Sequence, residues 1–159
     1  METTTSPATT GPRPAHYKRP DPFTRWVLNP LVNLLTRLGF SVWGARVLEH
    51  RGRVTGTPHR TPVNLLAFEG GEYLVSPRGD TEWVRNVRAA GGSLVLILGR
   101  RRQVRTAVEI PPAERTEILR AYLRRWKFEV GKFFDGVGPD SSDAEFAACA
   151  ERHPVFMVR

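Results

Sequence analysis

The sequence has little cysteine and no long apolar segment. Cys149 is the only cysteine among 159 residues, so an intramolecular disulfide is excluded and cysteine usage gives no sign of an oxidising compartment. No apolar run approaches the ~20 residues that a membrane-spanning helix needs. Residues 1–22 also lack the apolar core of a secretory signal. We therefore expect a cytoplasmic protein.

Residue patterns that mark several enzyme classes are missing as well. No histidine or cysteine has a partner at metal-ligand spacing, so no metal site is predicted. The sequence contains no Gly-x-Ser-x-Gly elbow, no Walker sequence and no Rossmann glycine fingerprint. Cys149 lies among alanines, which is more typical of a small core residue than of a nucleophile. The histidines are His16, His50, His59 and His153.

Positive charge is present in excess. The chain has 24 Lys+Arg against 16 Asp+Glu, a net charge of +8 that favours a polyanionic partner such as nucleic acid, acidic lipid or a phosphorylated cofactor. Residues 99–102, Gly-Arg-Arg-Arg, could contact phosphates in a basic nucleic-acid-binding module. A charged hairpin tip is the commoner explanation, and no aromatic residues alternate with these arginines. No nucleic-acid partner is expected, and the module stays an alternative.

The N-terminal part divides into a tail and a helix. Residues 1–22 are rich in Thr, Pro and Ala and are predicted to be disordered. Apolar residues at three- and four-residue spacing predict an amphipathic helix over residues 23–40, interrupted at Pro30. Because only Arg25 and Arg37 give it positive charge, packing over a sheet is favoured, and peripheral membrane contact is the alternative.

The rest of the chain alternates between strands and helices in one predicted domain, residues 23–159. Consecutive strands with short turns indicate antiparallel pairing, and their number with a few covering helices indicates a small barrel or strongly bent sheet. A tight hairpin is predicted at Gly70-Gly71, and Asp80 or Thr81 is predicted to cap the first of these helices. Strands are predicted at 42–50, 60–68, 72–76, 93–98, 103–110 and 154–158, and helices at 81–90, from Pro111-Pro112 onward, and at 142–152.

A basic, glycine-rich stretch at residues 52–63 joins the first two predicted strands. It contains two Gly, two Pro, two Arg, three Thr and one His, so the simplest interpretation is a soluble hairpin turn. Its backbone N–H groups, hydroxyls and guanidiniums would also suit a phosphate. Together with the loop at 76–79 and the helix carrying Trp83 and Asn86, it could form a site for a ligand with a phosphate and a ring system.

These stretches resemble the deazaflavin-dependent nitroreductase family of actinobacterial oxidoreductases. The resemblance covers roughly residues 42–110 and implies a mainly β, α+β fold, a split antiparallel β-barrel with covering helices. It also implies coenzyme F420, the reduced deazaflavin, as hydride donor. The motifs that carry it are Gly52-Arg53-x-Thr55-Gly56-x-Pro58-x-Arg60-Thr61-Pro62-Val63, then Ser76-x-Arg78-Gly79, and Trp83-x-x-Asn86-x-Arg88-Ala89.

The resemblance also implies roles for individual residues. The stretch 52–63 would hold the phosphate and acidic tail of the cofactor. The loop at 76–79 and the helix that follows it would line the cofactor ring. Pro62 and Val63 would lie beneath the ring. The residues implied for the phosphate end are Arg53, Thr55, His59 and Arg60. Those implied for the ring are Ser76, Pro77, Arg78, Gly79, Trp83 and Asn86.

Two departures from the family pattern bear on the cofactor and the substrate. Val54 stands where the family usually has Lys or Arg, so Arg51 or Arg78 would have to replace that contact. F420 is favoured over FMN or FAD, and a split barrel binding a flavin or haem-type cofactor is the alternative. The aromatic segment after Tyr122 lacks the usual tyrosine pattern, and Tyr122 is a candidate proton donor. The expected substrate is an electron-poor quinone, nitroaromatic or enone, and the expected state is monomer or homodimer.

Overall fold

The computed structural model describes residues 44–159, which form six strands and three α-helices. Two short 3₁₀ turns, Pro112–Glu114 and Gly131–Phe133, flank the longest helix. In chain order the elements are β1 (Ala45–Arg51), β2 (Pro58–Phe68), β3 (Gly71–Val75), α1 (Glu82–Ala89), β4 (Ser93–Leu98), β5 (Arg101–Glu109), α2 (Thr116–Val130), α3 (Asp143–Ala150) and β6 (Val155–Val158).

The six strands close into an antiparallel barrel in the order β1-β2-β3-β6-β5-β4, with β4 pairing back onto β1. β2 is shared between two halves, because its first part pairs with β1 and its last part, Leu65 to Phe68, pairs with β3. Pro58 and Pro62 lie in the first part, where β1 is the only neighbour among the described strands and their missing N–H groups are tolerated. The expected split antiparallel barrel with covering helices is confirmed.

Strand alternation builds two cores from adjacent residues. On β2, Leu65 enters the barrel interior while Leu66 packs on the helix side, and Phe156 and Val155 divide in the same way on β6. The interior cluster is filled from one end by α1. The helix-side cluster is covered by α2, whose buried residues include the predicted stripe Ile118, Leu119, Tyr122, Leu123 and Trp126.

Several predicted boundaries were wrong for local reasons. β2 begins at Pro58, two residues before the predicted start, so Pro58 and His59 belong to the strand rather than to the turn. The tight hairpin turn is formed by Glu69 and Gly70, both with positive φ, and Gly71 already starts β3. The two prolines open a separate 3₁₀ turn, and α2 begins only at Thr116. The helix then continues to Val130 through a kink at Trp126, into a segment that its aromatic and glycine content left without a predicted element.

A buried arginine connects the barrel to the helix side. Arg115, 4% exposed, donates from Nε to the carbonyl of Ile110 (2.8 Å) and from Nη1 to the carbonyls of Ala150 (2.8 Å) and His153 (3.3 Å). Its Nη2 pairs with Glu109 at 3.0 Å. One side chain therefore joins the end of β5 to the end of α3 and the approach to β6.

Two expectations for the N-terminal part, the disordered tail at 1–22 and the amphipathic helix at 23–40, lie outside the described residues. None of the helices within residues 44–159 has the length and apolar content needed to cross a membrane. Cys149 is buried, as the sequence predicted, and burial raises the pKa of its thiol.

Candidate functional site

The basic turn is a closed six-residue loop, residues 52–57, between β1 and β2. Gly52 donates to the Thr57 carbonyl and Gly56 donates to the Gly52 carbonyl, both at 2.8 Å. A Cβ on Gly52 would lie 2.9 Å from His59 Nε2, so a larger residue here would displace the exposed imidazole from this position. Val54 is at the tip and is 87% exposed. The turn is therefore ordered by its own backbone and presents its tip to solvent.

Helix α1 holds this turn through one asparagine. The backbone N–H of Arg53 and its Nη1 both donate to Asn86 Oδ1, each at 3.1 Å. The same Nη1 forms an ion pair with Glu82 at 2.6 Å. The prediction that the turn and the later helix lie side by side is thus confirmed, although they are more than thirty residues apart in sequence.

His50 lies behind the turn and was not among the predicted site residues. It is 3% exposed, its Nδ1 lies 3.2 Å from Asn86 Nδ2, and its Nε2 lies 3.4 Å from Thr61 Oγ1. Its ring stacks on that of His59, with centroids 5.8 Å apart. Alternation along β1 contains the missing signal, because Leu48 is fully buried and His50, two residues later, shares its face.

The strands beside the turn add further guanidiniums. Arg60 on β2 and Arg102 on β5 both bind Glu49 on β1, at 2.9 Å and 2.5 Å. Hydrogen bonds from Arg102 and then Arg60 lower the pKa of Glu49, so it stays ionised. Arg51 donates to the Gly56 carbonyl at 3.2 Å. The region therefore has a net positive field that suits an anion. Its two carboxylates, Glu49 and Glu82, face four guanidiniums, those of Arg51, Arg53, Arg60 and Arg102.

The loop at 76–79 is held by its own hydroxyl and backbone. Buried Ser76 donates from Oγ to the Gly79 carbonyl (2.6 Å), and Gly79 donates back to the Ser76 carbonyl (3.2 Å). Gly79 has φ 79°, a conformation that favours glycine. Arg78 lies over the ring of Phe133, 5.7 Å from its centroid. Thr81 occupies the N-cap position of α1, but its side chain makes no cap bond and instead meets Ser76 Oγ at 3.3 Å.

The remaining predicted residues fall into exposed and buried groups. Thr55 and Pro62 are exposed, Val63 and Pro77 are half-buried, and Thr55 Oγ1 accepts from the Thr57 N–H at 3.3 Å. Trp83 is 5% exposed and packs in the barrel interior against Phe156, with ring centroids 5.6 Å apart.

Tyr122 lies in the other core, away from the basic turn. It is 2% exposed and contacts Trp126, with ring centroids 4.9 Å apart. Burial raises the pKa of its hydroxyl, and Asn64 is its hydrogen-bond partner. Within the described residues, no group of three His, Cys, Asp or Glu side chains could hold a metal ion.

The closed antiparallel barrel, with a basic turn held against a short helix, has the split-barrel fold. Residues 34–131 match the family model described as F420H(2)-dependent quinone reductase, and the chain belongs to this family. The cofactor is accordingly coenzyme F420. No curated protein is similar enough in sequence to match the chain.

Solved structures support the fold. One titled as an F420-H2 dependent reductase (FDR-A) has TM-score 0.52 and 19% identity, over 73% of this chain and 94% of that one. A domain-swapped dimer has TM-score 0.51 and 20% identity, over 86% and 98%. The Agrobacterium tumefaciens protein Atu2129, of unknown function, has TM-score 0.53 and 15% identity, over 82% of this chain and 53% of its own.

The residues around the turn suit the anionic part of this cofactor. His59 is exposed, and its imidazole stacks on that of His50. Arg53 is partly exposed even while it pairs with Glu82, so a ligand phosphate can reach its guanidinium. Because Gly52 has no side chain, the space beside the His59 imidazole stays open.

Proposed function

We propose that this protein transfers a hydride from reduced F420 to a quinone, with nitroaromatics and activated enones as further substrates. The membership in an F420H2-dependent quinone reductase family supports the quinone as first choice. We place the activity in the cytoplasm. A homodimer is the favoured assembly over a monomer, because one similar structure is a domain-swapped dimer.

The observation that carries the site assignment is the pair of hydrogen bonds from Arg53 to Asn86. These bonds fix both the backbone of the basic turn and one guanidinium before any ligand arrives. A preorganised cation loses little conformational freedom when it binds a phosphate, so affinity is higher than for a mobile side chain. Arg53, Thr55, His59 and Arg60 would then hold the phosphate and acidic tail.

The chain's own residues bind the cofactor, orient its ring and exclude water. Reduced F420 supplies the hydride when it is bound. The loop at 76–79 and the α1 residues Trp83 and Asn86 would fix the ring plane, with Pro62 and Val63 beneath it. Rigid positioning of the ring next to the substrate converts a bimolecular step into a unimolecular one, which is the main rate contribution expected of this protein.

Titration calorimetry with F420 tests the assignment, with FMN and FAD titrated in parallel. We expect binding of F420 that is tighter than that of either flavin, and oxidation of reduced F420 when a quinone is added. Absence of F420 binding up to high micromolar concentrations would contradict the proposal.

Lysine at Val54 is expected to tighten F420 binding about two- to fivefold, the effect of one exposed ion pair worth up to about 1 kcal/mol. Val54 is exposed at the tip of the turn, so the longer side chain meets no packing cost. Val104→Lys is the matched control, because Val104 is also a strongly exposed valine but lies on β5. Equal affinities in the two variants would count against the turn as the phosphate clamp.

Tyr122 is our candidate for the proton donor to the reduced substrate. Burial raises the pKa of its hydroxyl, so the proton is retained at neutral pH and is given up less readily than by an ordinary tyrosine. Its partner Asn64 lies on β2 directly after Val63. We expect Tyr122→Phe to lower turnover about 100-fold while the dissociation constant of F420 is unchanged. Unchanged turnover with a lower melting temperature would make Tyr122 a packing residue alone.

A further inference from the structure

His50 lies at the junction of the basic turn, strand β2 and helix α1. Its ring is nearly inaccessible to solvent, and one nitrogen faces Asn86 while the other faces Thr61. Asn86 in turn holds the backbone and side chain of Arg53. A chain of direct contacts therefore runs from His50 through Asn86 to the turn.

The orientation of the Asn86 amide is determined by its other partner. The backbone N–H of Arg53 can only donate, so the Asn86 atom that faces it must be the oxygen. Asn86 Nδ2 then faces His50 Nδ1 at 3.2 Å. Because the amide NH₂ group can only donate, His50 Nδ1 must accept. His50 is consequently neutral, with its proton on Nε2, from which it can donate to Thr61 Oγ1.

We infer that neutral His50 is a positioning residue that keeps Asn86 turned toward Arg53, and that its protonation releases the basic turn and weakens cofactor binding in acid. A proton on Nδ1 would oppose the amide hydrogens of Asn86 at hydrogen-bond distance. Turning the amide relieves that clash but presents its NH₂ group to two Arg53 donors. The inference rests on the proposed function, in which this turn holds the anionic part of F420.

Charged groups face His50 from three sides. His59 stacks on it from β2, Arg53 of the turn binds Asn86, the neighbour of His50, and Glu82 belongs to α1. Burial is the main effect on the pKa of His50 and lowers it, and the neighbouring His59 lowers it further. Glu82 acts in the opposite direction, as does a backbone hydrogen bond at Arg51. The net direction is downward, so the imidazole is neutral at physiological pH.

The sign of the pH effect follows from this lowered pKa. The stabilisation that depends on neutral His50 is complete above its ordinary pKa of 6.5, and it is lost as the pH falls through the lower value in the folded protein. Weaker binding in acid therefore points to His50.

Two substitutions distinguish the loss of the hydrogen-bond acceptor at Nδ1 from the protonation of the imidazole. In His50→Asn the side-chain oxygen can take the position of Nδ1 and accept from Asn86, but it does not titrate. In His50→Leu the acceptor is lost at every pH. Both are compared with the wild-type chain by calorimetry with F420 at pH 8 and pH 5.5. Circular dichroism reports whether each variant is folded.

We expect the wild-type affinity for F420 to fall about two- to fivefold from pH 8 to pH 5.5, because a pKa lowered from 6.5 leaves part of His50 neutral at the lower pH. His50→Asn should bind with nearly the same affinity at both values. His50→Leu should bind about tenfold more weakly than the wild type already at pH 8. The inference is overturned by an equal acid effect in His50→Asn and the wild type, or by wild-type affinity in His50→Leu.

A second readout uses the protein without F420. The ¹⁵N shift of His50 Nδ1 should be that of an unprotonated nitrogen at pH 8, and the hydrogen-exchange protection factor of the Arg53 amide should fall on acidification. His50→Asn should keep this protection. If these spectra behave as expected while no F420 binds, the proposed function fails and the positioning role of His50 holds. A protonated Nδ1 at pH 8 would contradict the role itself.

Discussion

Replacing Arg115 by methionine should lower the free energy of unfolding by about 3–5 kcal/mol, which is among the largest effects expected of a single substitution in this chain. The guanidinium serves three carbonyls, those of Ile110, Ala150 and His153, in a region closed to water. Methionine fills a similar volume without any donor, so all three carbonyls lose this partner, although that of Ala150 still accepts from the His153 N–H at 3.3 Å. Glu109 also loses one of its two arginine partners.

The measurement is urea unfolding followed by circular dichroism and tryptophan fluorescence. Arg152→Met is the matched control, because it removes the same group from an exposed ion pair with Asp135 and should change stability by less than about 1 kcal/mol. Arg115→Lys should fall between the two, since lysine keeps the charge but cannot donate in the fork geometry. Equal losses in Arg115→Met and Arg152→Met would show that the buried carbonyls find other partners.

Arg115 also illustrates what local patterns cannot predict. Alternation and turn residues predicted all six described strands, because a strand's pattern depends on which face is buried. The partners of Arg115 lie up to 38 residues away in sequence, and no periodicity reports such contacts. The helical continuation to Val130 was missed for a related reason. Packing against the helix-side core overrode weak local signals there.

The candidate site was predictable in outline, since glycines, arginines and hydroxyls in order carried the family resemblance. The hydrogen bonds and the burial of side chains inside the site could not be predicted. Asn86 was predicted only to line the ring, and its oxygen also holds the basic turn. Trp83 was predicted beside it, and its indole is buried in the barrel interior. Both lie on one short helix, whose rotation about its axis decides which side chain faces the barrel interior. His50 was overlooked because a single histidine in a strand is usually a packing residue.

Replacing Arg53 by alanine should weaken F420 binding by about 10- to 100-fold, the range for losing one charge-assisted hydrogen bond to a phosphate. The substitution removes the guanidinium but keeps the backbone N–H that binds Asn86, so the turn remains in place. The lost ion pair with Glu82 is exposed and contributes less than about 1 kcal/mol to stability. The change in affinity therefore reports the phosphate contact rather than unfolding.

Calorimetry at two salt concentrations distinguishes this contact from a general effect of charge. Arg152→Ala removes one guanidinium from an equally exposed pair on the loop after α3, and it should change F420 affinity by less than about twofold. Arg53→Ala should also show a smaller loss of affinity at high salt than the wild type, because a screened interaction is already absent. Matching affinities for Arg53→Ala and Arg152→Ala would mean that only the net positive field attracts the cofactor. The hydrogen bonds to Asn86 would then order the turn for folding alone.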